Sequence, residues 1–466
     1  MFHAMRRTKI ICTIGPAVDD PRRISALVEA GMDVARLNFS HGTADDHRRY
    51  AGMVRDAAED AGRHVAIMQD LQGPRIRTAE LRDEIVLTPG QTITIGGPDS
   101  ALPLTVPDVV GRMDPGERVL IDGGQIELVV EERVGGQVIC RVVRGGPVRS
   151  RRGVNLPDSD LDLPALTPKD LEDLRHGVDM GVDMVAISFV RDADDVLRLR
   201  DELAEMGSDA WVVAKIERAA ALDAVDDILT AAVGIMIARG DLGVEMPPER
   251  VPVIQKALIG RAHARSRVVI TATQMLESMV EHPTPTRAEV SDVANAILDG
   301  TDAIMLSEET AAGSHPVEAV RTMDRIAREI EGTMADDLTF RPSGEVAVKE
   351  AISHSACVLA THLDTACIVA FTGSGSTARR ISKYRHGVPV HGFTPDPGVA
   401  RRLSVLWGVH PHVVDRATTA DELFDVTERR LLEGEFALSG DLVIIVAGLP
   451  VGTPGTTNLV KAHRIP

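Results

Sequence analysis

Short apolar, β-branched runs recur along the chain, separated by stretches whose apolar residues fall at helical spacing. The runs occupy 9–14 (KIICTI), 33–39 (DVARLNF), 64–70 (HVAIMQD), 183–189 (DMVAISF), 211–217 (WVVAKIE), 234–241 (GIMIARGD), 267–273 (RVVITAT) and 302–309 (DAIMLSEE). Helices are predicted over 21–30, 45–61, 169–177, 193–205, 219–229, 250–265 and 288–298. Strands alternating with helices make parallel βα units, and eight of them predict a closed (β/α)8 TIM barrel, an α/β fold. Most runs end in polar residues: Arg36 and Asn38, Asp70, Lys215 and Glu217, Arg239 and Asp241, Thr273, Ser307 and Glu309. Barrel enzymes carry their chemistry at these strand ends; the plainer reading is that polar residues merely mark where strands stop.

The spacing breaks between the third and fourth runs. Residues 74–164 are rich in Gly, Pro and Val, with alternating stretches at 118–121, 126–131 and 137–143. They predict a small β-barrel domain inserted in a barrel loop, placed to act as a lid. From residue 336 a helix (346–362), a strand (366–371), a Gly/Ser/Thr turn, a second helix and strands at 388–393 and 441–447 predict a separate α/β domain. The expected division is 1–73 with 165–335 for the barrel, 74–164 for the lid and 336–466 for the C-terminal domain.

Composition narrows the function. Apolar residues are 44% and charged residues 26% of 466, the profile of a folded globular protein. Lys plus Arg total 51 against 69 Asp plus Glu, a net charge of −18, which argues against a general nucleic-acid binder. Anion handling then requires positive charge gathered locally. Aromatic residues are only 3%, too few for stacking platforms. No apolar run has the length of a membrane helix, and Gly15-Pro16 interrupts the N-terminal apolar stretch before a signal-peptide core can form. The 4 cysteines form no CxxC pair and read as reduced thiols of a cytoplasmic protein.

Four motifs carry candidate chemistry. Alternation puts Lys215 and Glu217 of AKIE on one face. Glu217 and Asp241 (from ARGD) stand at adjacent strand ends, placed to share one Mg²⁺, with Lys215 beside it to neutralise a transferring phosphoryl group. A structural Lys215–Glu217 ion pair fits the same residues. In RLNFSHG, Arg36, Asn38 and Ser40 fall on one side, followed by His41. The Arg suits phosphate or carboxylate, and the Asn and Ser oxygens suit a cation or polar ligand. DLQGPRIR adds Asp70, Arg75 and Arg77; a surface charge cluster is the alternative for both motifs. In TGSGSTAR, Thr372, Ser374, Gly375, Ser376 and Thr377 precede a predicted helix and form an anion nest. A loose dinucleotide fingerprint (Gly373, Gly375, Ala378, with Asp396 further on) and a plain tight turn also fit. GxxxxGK[ST], HRD, DFG and clustered His/Cys are all missing, which sets aside P-loop enzymes, protein kinases and zinc sites.

The stretches RRTKIICTIGPA, RLNFSHG, DLQGPRIR, KIE, ARGDLG, ATQMLESM, PTRAEVSDVANAILDGTDAIMLSEETAAG and PVGTPGTTNL run in this order from residue 6 to about residue 460. Together they resemble the pyruvate kinase family. The resemblance implies a three-domain subunit in a cytoplasmic homotetramer. It implies glycolytic phosphoryl transfer from phosphoenolpyruvate to ADP, giving ATP and pyruvate, with Mg²⁺ as cofactor (Mn²⁺ as an alternative) and control by a phosphorylated allosteric effector. By similarity, Glu217 and Asp241 match metal ligands. Lys215 matches the Lys that stabilises the transferring phosphoryl group and the enolate oxygen. Arg36 matches the Arg holding that group, and Arg77 a second basic position. Thr273 matches the Thr near the methylene carbon, and Gly240 and Asp241 the amides that receive the carboxylate. Asn38, His41, Arg77 and Arg152 match nucleotide contacts, with Arg152 replacing a lid Lys. The 372–377 loop matches the effector-phosphate loop.

The chain departs from the family in places. Where many members have DTKGPEIR, the monovalent-cation positions here are Asn38, Ser40, Asp70, Leu71 and Arg75. Leu71 offers no side-chain oxygen and Arg75 reverses a charge, so K⁺ is not expected to be required, and Arg75 is expected beside Asp70. Glu308 replaces a small residue, and Gly123 stands where a second lid Asp is common. Two rivals share parts of this pattern: a Mg²⁺-dependent carbon–carbon lyase on the same barrel, and a sugar-phosphate sensor that has lost catalysis.

Overall fold

A computed structural model describes residues 6–159, 161, 163–334, 347–453 and 455–466. Eight parallel strands form the barrel: β1 (Lys9–Ile14), β2 (Val34–Asn38), β3 (Ala66–Asp70), β4 (Met184–Ile187), β5 (Trp211–Ile216), β6 (Gly234–Ala238), β7 (Val268–Ala272) and β8 (Ala303–Leu306). Neighbours follow chain order, and β8 closes on β1 with Lys9 opposite Ala303. Alternate side chains face opposite ways. Ile11, Val34, Met68, Val213, Met236 and Ile270 fill the interior. Ile10, Cys12, Leu37, Ile67 and Ile235 pack outward under the helices. Both faces are buried, which is why the strands read as continuous apolar runs.

Strand ends are shorter than the sequence pattern predicts. The 234–241 run leaves the sheet at Ala238, and Arg239–Glu245 is a short helix. The Arg239 guanidinium ties this turn to the neighbouring strand: it donates to the carbonyls of Ala272 (3.3 Å) and Thr273 (2.7 Å) and to Asp292 (2.7 Å). The 302–309 run likewise ends at Leu306, with Glu308–Ala311 helical. β2 ends at Asn38, so Ser40 lies in a turn and not on the strand face with Arg36. The helix predicted over 219–229 is broken at Ala224 into Ala220–Asp223 and Val225–Ala231. The predicted domain boundary at 335/336 and the start of the 346–362 helix lie outside the described residues; the helix is seen over Val348–His362.

The chain leaves the barrel after β3 through Gly73, whose φ is +67° and where a Cβ would lie 2.9 Å from the Phe189 ring, so only glycine fits. The inserted segment forms a six-stranded sheet with a separate two-stranded ribbon of Ile85–Leu87 and Gly146–Val148. It has its own core around Ile95, Val119, Leu128 and Val138. Its tip reaches the barrel mouth: a Cβ on Gly124 would lie 3.8 Å from Val244 of the short helix.

The C-terminal sheet has the order Val409–Val413, Val390–Thr394, Cys367–Phe371, Leu442–Gly448, Thr457–Arg464, with only the last strand antiparallel. It caps the opposite end of the barrel. Lys9 Nζ donates to the Val409 carbonyl (2.8 Å), and Arg401 and Arg385 pair with Asp183 (2.7 Å) and Asp302 (3.0 Å) at the strand starts. The barrel interior and this domain share one apolar cluster through Trp211. The polar strand ends are left facing the lid.

Candidate active site

At the mouth, four buried charged side chains form one chain of contacts. Arg36 donates from Nε to Asp70 Oδ2 (2.7 Å) and from Nη1 to Thr13 Oγ1 (2.9 Å). Lys215 Nζ lies 3.2 Å from Asp70 Oδ1 and 2.8 Å from Glu217 Oε1. Its well-aligned hydrogen bond goes to Ser188 Oγ (2.7 Å), which in turn donates to the Leu71 carbonyl (2.7 Å). Glu217 Oε2 accepts the N–H of Phe189 (2.7 Å). Asp70 and Glu217 are each 1% exposed, so these charges survive only through their partners.

The electrostatics follow. Burial opposes charge on Asp70, but Lys215 and Arg36 outweigh it and hold its carboxyl below the ordinary range. Burial likewise opposes charge on Lys215, yet Asp70 and Glu217 raise its pKa above the usual lysine value. Lys215 is therefore a fixed cation rather than a base. Glu217 is pushed upward by burial, only partly offset by Lys215, and pushed further by Asp241. Asp241 thus adds negative charge to the surroundings of Glu217. The ion pair and the metal-site readings of Lys215 and Glu217 thus share one geometry, and Asp241 adds what a simple ion pair does not need.

Thr273 has φ +70°, a strained conformation for a β-branched residue. Its Oγ1 donates to the Ala272 carbonyl (2.6 Å) and accepts the Gly240 N–H (2.7 Å), so that amide is already engaged. Phe189 and Gln274 also have positive φ at this mouth. A cavity of about 740 Å³ lies beside Gly123, Arg239, Gly240, Asp241, Gln274 and Asp292. A second, of about 150 Å³, lies beside Arg75, Arg77, Phe189, Arg218, Asp241 and Glu245. Asp241 lines both.

On the lid side, burial and then Arg75, Arg77 and Arg36 hold the His41 pKa below its ordinary value, while Glu308 partly offsets these cations. Arg77 Nη1 donates to the Arg151 carbonyl (3.0 Å), and Arg152 Nη1 lies 3.4 Å from Asp122. Asn38 Oδ1 accepts the Ser40 N–H (3.2 Å). The expected Arg75–Asp70 contact is not formed. Arg36 and Lys215 already occupy Asp70, and the turn at Gly73 carries Arg75 toward the lid, where its Nε is buried without a partner. Leu71 is 1% exposed and packs in the outer core. Gly123 has φ +65° with open space around a would-be Cβ.

The 372–377 loop lies beside a cavity of about 340 Å³ lined by Thr372, Gly373, Ser374, Ser376, Thr377 and Arg416. Thr372 Oγ1 is buried without a partner, whereas Thr377 Oγ1 bonds Thr457 Oγ1 (2.9 Å). Gly375 has φ +83°, and a Cβ there would lie 2.6 Å from the Trp211 ring. Asp396 caps a helix through the N–H groups of Gly398 and Val399, which removes it from the dinucleotide fingerprint.

Thr13 and Ser188 escaped the sequence analysis. Both are polar residues near the ends of apolar runs, so the strand-end pattern marks them as it marks Lys215.

Among the described residues no helix is long and apolar enough to cross a membrane, and no three His, Cys, Asp or Glu side chains cluster as a metal cage. A barrel with fixed cations and paired carboxylates at its mouth, beneath an inserted lid, defines a lidded (β/α)8-barrel enzyme. Family models described as "Pyruvate kinase, barrel domain" and "Pyruvate kinase, alpha/beta domain" match residues 5–320 and 350–463. A pyruvate kinase from Geobacillus stearothermophilus is 44% identical over 473 residues, covering 99% of this chain and 80% of the relative. One from Mycobacterium tuberculosis (strain ATCC 25618 / H37Rv) is 44% identical over 468 residues, covering 99% and 98%. The solved structure of a pyruvate kinase from Cryptosporidium parvum superposes with a TM-score of 0.93 at 35% identity, covering 99% of this chain and 96% of that one. The chain belongs to the pyruvate kinase family.

Proposed function

We propose that the protein transfers the phosphoryl group of phosphoenolpyruvate to ADP as the last step of glycolysis. A β-phosphate oxygen of ADP attacks phosphorus, the bond from phosphorus to the enol oxygen breaks, and the resulting enolate takes a proton at its methylene carbon to give pyruvate. The observation that carries this reading is the buried Arg36–Asp70–Lys215–Glu217 chain at the barrel mouth, with Asp241 just beyond the end of the neighbouring strand β6.

Each residue has a role in that reaction. Glu217 and Asp241 suit Mg²⁺, with Mn²⁺ as an alternative: two hard carboxylates leave the remaining positions to substrate oxygens and water. The bound metal would offset charge on the phosphoryl and enolate oxygens. Arg36 and Lys215 supply fixed positive charge to the phosphoryl group in transit. The substrate carboxylate approaches the Gly240 and Asp241 amides and competes with Thr273 Oγ1 for the Gly240 N–H. Thr273 Oγ1, its O–H still given to the Ala272 carbonyl, then has a lone pair free to accept from and orient the water that protonates the carbon. Asn38, His41, Arg77 and Arg152 contact the nucleotide under the lid of residues 74–164. The cytoplasmic homotetramer, the K⁺ independence and effector binding at the 372–377 loop of the 336–466 domain belong to the same proposal.

A lactate-dehydrogenase-coupled assay tests it. Pyruvate release that needs phosphoenolpyruvate, ADP and Mg²⁺ together is expected. Release without ADP would be transfer of the phosphoryl group to water and would reject the kinase reading, and no release at all points to the lyase or the sensor.

A further inference from the structure

Thr273 and Gln274 follow the end of β7, beyond its last paired position, Ala272 opposite Ala238. Both have positive φ, +70° and +54°. Two consecutive non-glycine residues persist in that region only where the surroundings hold them there. The barrel ladder stops short of them, so other groups must fix the turn that carries the Thr273 hydroxyl.

Residues 239 and 240 grip Thr273 from both ends. The Gly240 N–H donates to the side chain, at Oγ1 (2.7 Å). The Arg239 guanidinium takes the backbone. Its Nη2 donates to the Thr273 carbonyl (2.7 Å), which lies between the two positive-φ residues, and its Nε to the Ala272 carbonyl (3.3 Å). The Ala272 carbonyl also accepts the Thr273 hydroxyl (2.6 Å). One guanidinium therefore holds the peptide groups on both sides of the Thr273 Cα. Its own direction is set by Asp292 on the helix Arg287–Leu298: Oδ1 accepts from Nη1 (2.7 Å) and Oδ2 lies 2.7 Å from Nη2. A planar fork that spans a carboxylate and two carbonyls at once is a geometry that lysine lacks.

We infer that Arg239, aimed by Asp292, is a positioning residue for protonation of the enolate: it fixes the turn at Thr273 and so the place where Oγ1 stands. The inference rests on the proposed role of Thr273 in orienting the water that protonates the methylene carbon. Without the guanidinium, Thr273 is still present, but its backbone is released toward the negative φ that a β-branched residue prefers, and Oγ1 moves with it.

The test separates proton transfer from phosphoryl transfer in the full-length protein. Proton transfer is read in reverse, by nuclear magnetic resonance, as exchange of the pyruvate methyl protons in D₂O with Mg²⁺ and ATP: a methyl C–H bond breaks, the proton passes to water, and the enolate takes a deuteron back at carbon. Phosphoryl transfer is read as ATP formed in a single turnover from phosphoenolpyruvate and ADP. Arg239→Met is expected to slow exchange by about 10²-fold, the cost of misplacing a group by about 1 Å, while ATP formation falls far less. Asp292→Ala keeps the guanidinium but removes its aim. That side chain is 39% exposed, so the variant tests the inference even where Arg239→Met fails to fold, and it is expected to slow exchange in the same selective way. Arg239→Met combined with Thr273→Ala is expected to exchange no more slowly than Thr273→Ala alone, because Arg239 acts through Thr273. Parental exchange in Arg239→Met or in Asp292→Ala overturns the inference, as do equal losses of exchange and ATP formation, or fully independent losses in the double variant. Parental exchange in Thr273→Ala overturns the reading of Thr273, and a parent protein that forms no ATP overturns the phosphoryl-transfer reading itself.

Discussion

Lys215 Nζ stands 2.8 Å from Glu217 Oε1, yet directs its well-aligned hydrogen bond to Ser188 Oγ. The ammonium is thereby held between two carboxylates without being committed to either, its charge fixed and its position set by a neutral hydroxyl. A cation so placed can face an incoming phosphoryl group without first breaking a bidentate ion pair. Lys215→Met should lower kcat by at least about 10²–10³, the cost of removing one preorganised charge-stabilising donor. Steady-state kinetics on protein of unchanged circular dichroism checks this, and near-parental kcat overturns the assignment.

Ser188 gives a second, graded expectation. Ser188→Ala leaves Lys215 charged but removes the oxygen that aims it and the bond to the Leu71 carbonyl. The loss should be smaller than for Lys215→Met, about 1–2 kcal/mol in transition-state stabilisation, and it should fall on kcat rather than on KM for ADP. Equal losses in the two variants would mean that Ser188 acts through something other than aim.

The barrel, the insert and the C-terminal sheet were legible because their apolar periodicities differ, and Lys215 and Arg36 because strand alternation carries them to the mouth, with Glu217 one residue past the end of β5. Further beyond the strands, less was legible. Arg239, where the chain turns into a helix, reaches carbonyls of the neighbouring strand, a contact between residues far apart in sequence. Proximity in the motif puts Arg75 near Asp70, but Asp70 is paired with Arg36 and with Lys215, 145 positions further on. The pairing of a buried carboxylate depends on the whole barrel and leaves no local mark.

The 372–377 loop, proposed to take the effector, makes a separable expectation. Thr372 and Ser374 line the cavity, while Thr377 is occupied with Thr457. Ser374→Asp places a carboxylate at the cavity without disturbing the buried Thr pair. The ratio of rates with and without a phosphorylated sugar or nucleoside monophosphate, measured at subsaturating phosphoenolpyruvate, should fall to about one, because an anion next to a bound phosphate is repelled. A ratio retained in Ser374→Asp would place the effector elsewhere.

Acid should weaken the C-terminal domain. His391, His410 and His412 lie close together, His391 Nδ1 is 2.8 Å from His412 Nε2, and burial, with neighbouring cations and imidazoles adding to it, pushes all three pKa values down to about 3. For a histidine whose folded pKa lies below the unfolded value, the unfolded state binds more protons between the two. The stability is therefore complete above pH ~6.5 and declines as pH falls toward about 3, by up to about 1.4 kcal/mol per group per pH unit. Urea unfolding at pH 7, 6 and 5 should show this slope, and His391→Gln with His412→Gln should flatten it. A parental slope in the double variant would assign the acid lability to other groups.

Turnover should not need K⁺. Phosphoenolpyruvate and ADP crowd negative charge into the mouth, and that charge must be met there. Asn38, Ser40 and Asp70 remain as oxygen donors, but both oxygens of Asp70 already face Arg36 or Lys215, and the Leu71 side chain is packed in the apolar core. Its carbonyl is taken by Ser188. Arg75 does not replace the ion at Asp70; it brings a permanent guanidinium to the lid-side cavity beside Arg77, where its charge is felt at His41. A missing ligand and an added fixed cation both weaken a monovalent site. Rates in tetramethylammonium buffer, with and without KCl at matched ionic strength, should agree, and a tenfold or greater rise with K⁺ would reject the idea. Arg75→Glu reverses the charge at the lid-side cavity. That variant should acquire a K⁺ requirement the parent lacks, since it removes a fixed cation from the mouth and leaves the deficit to a bound ion.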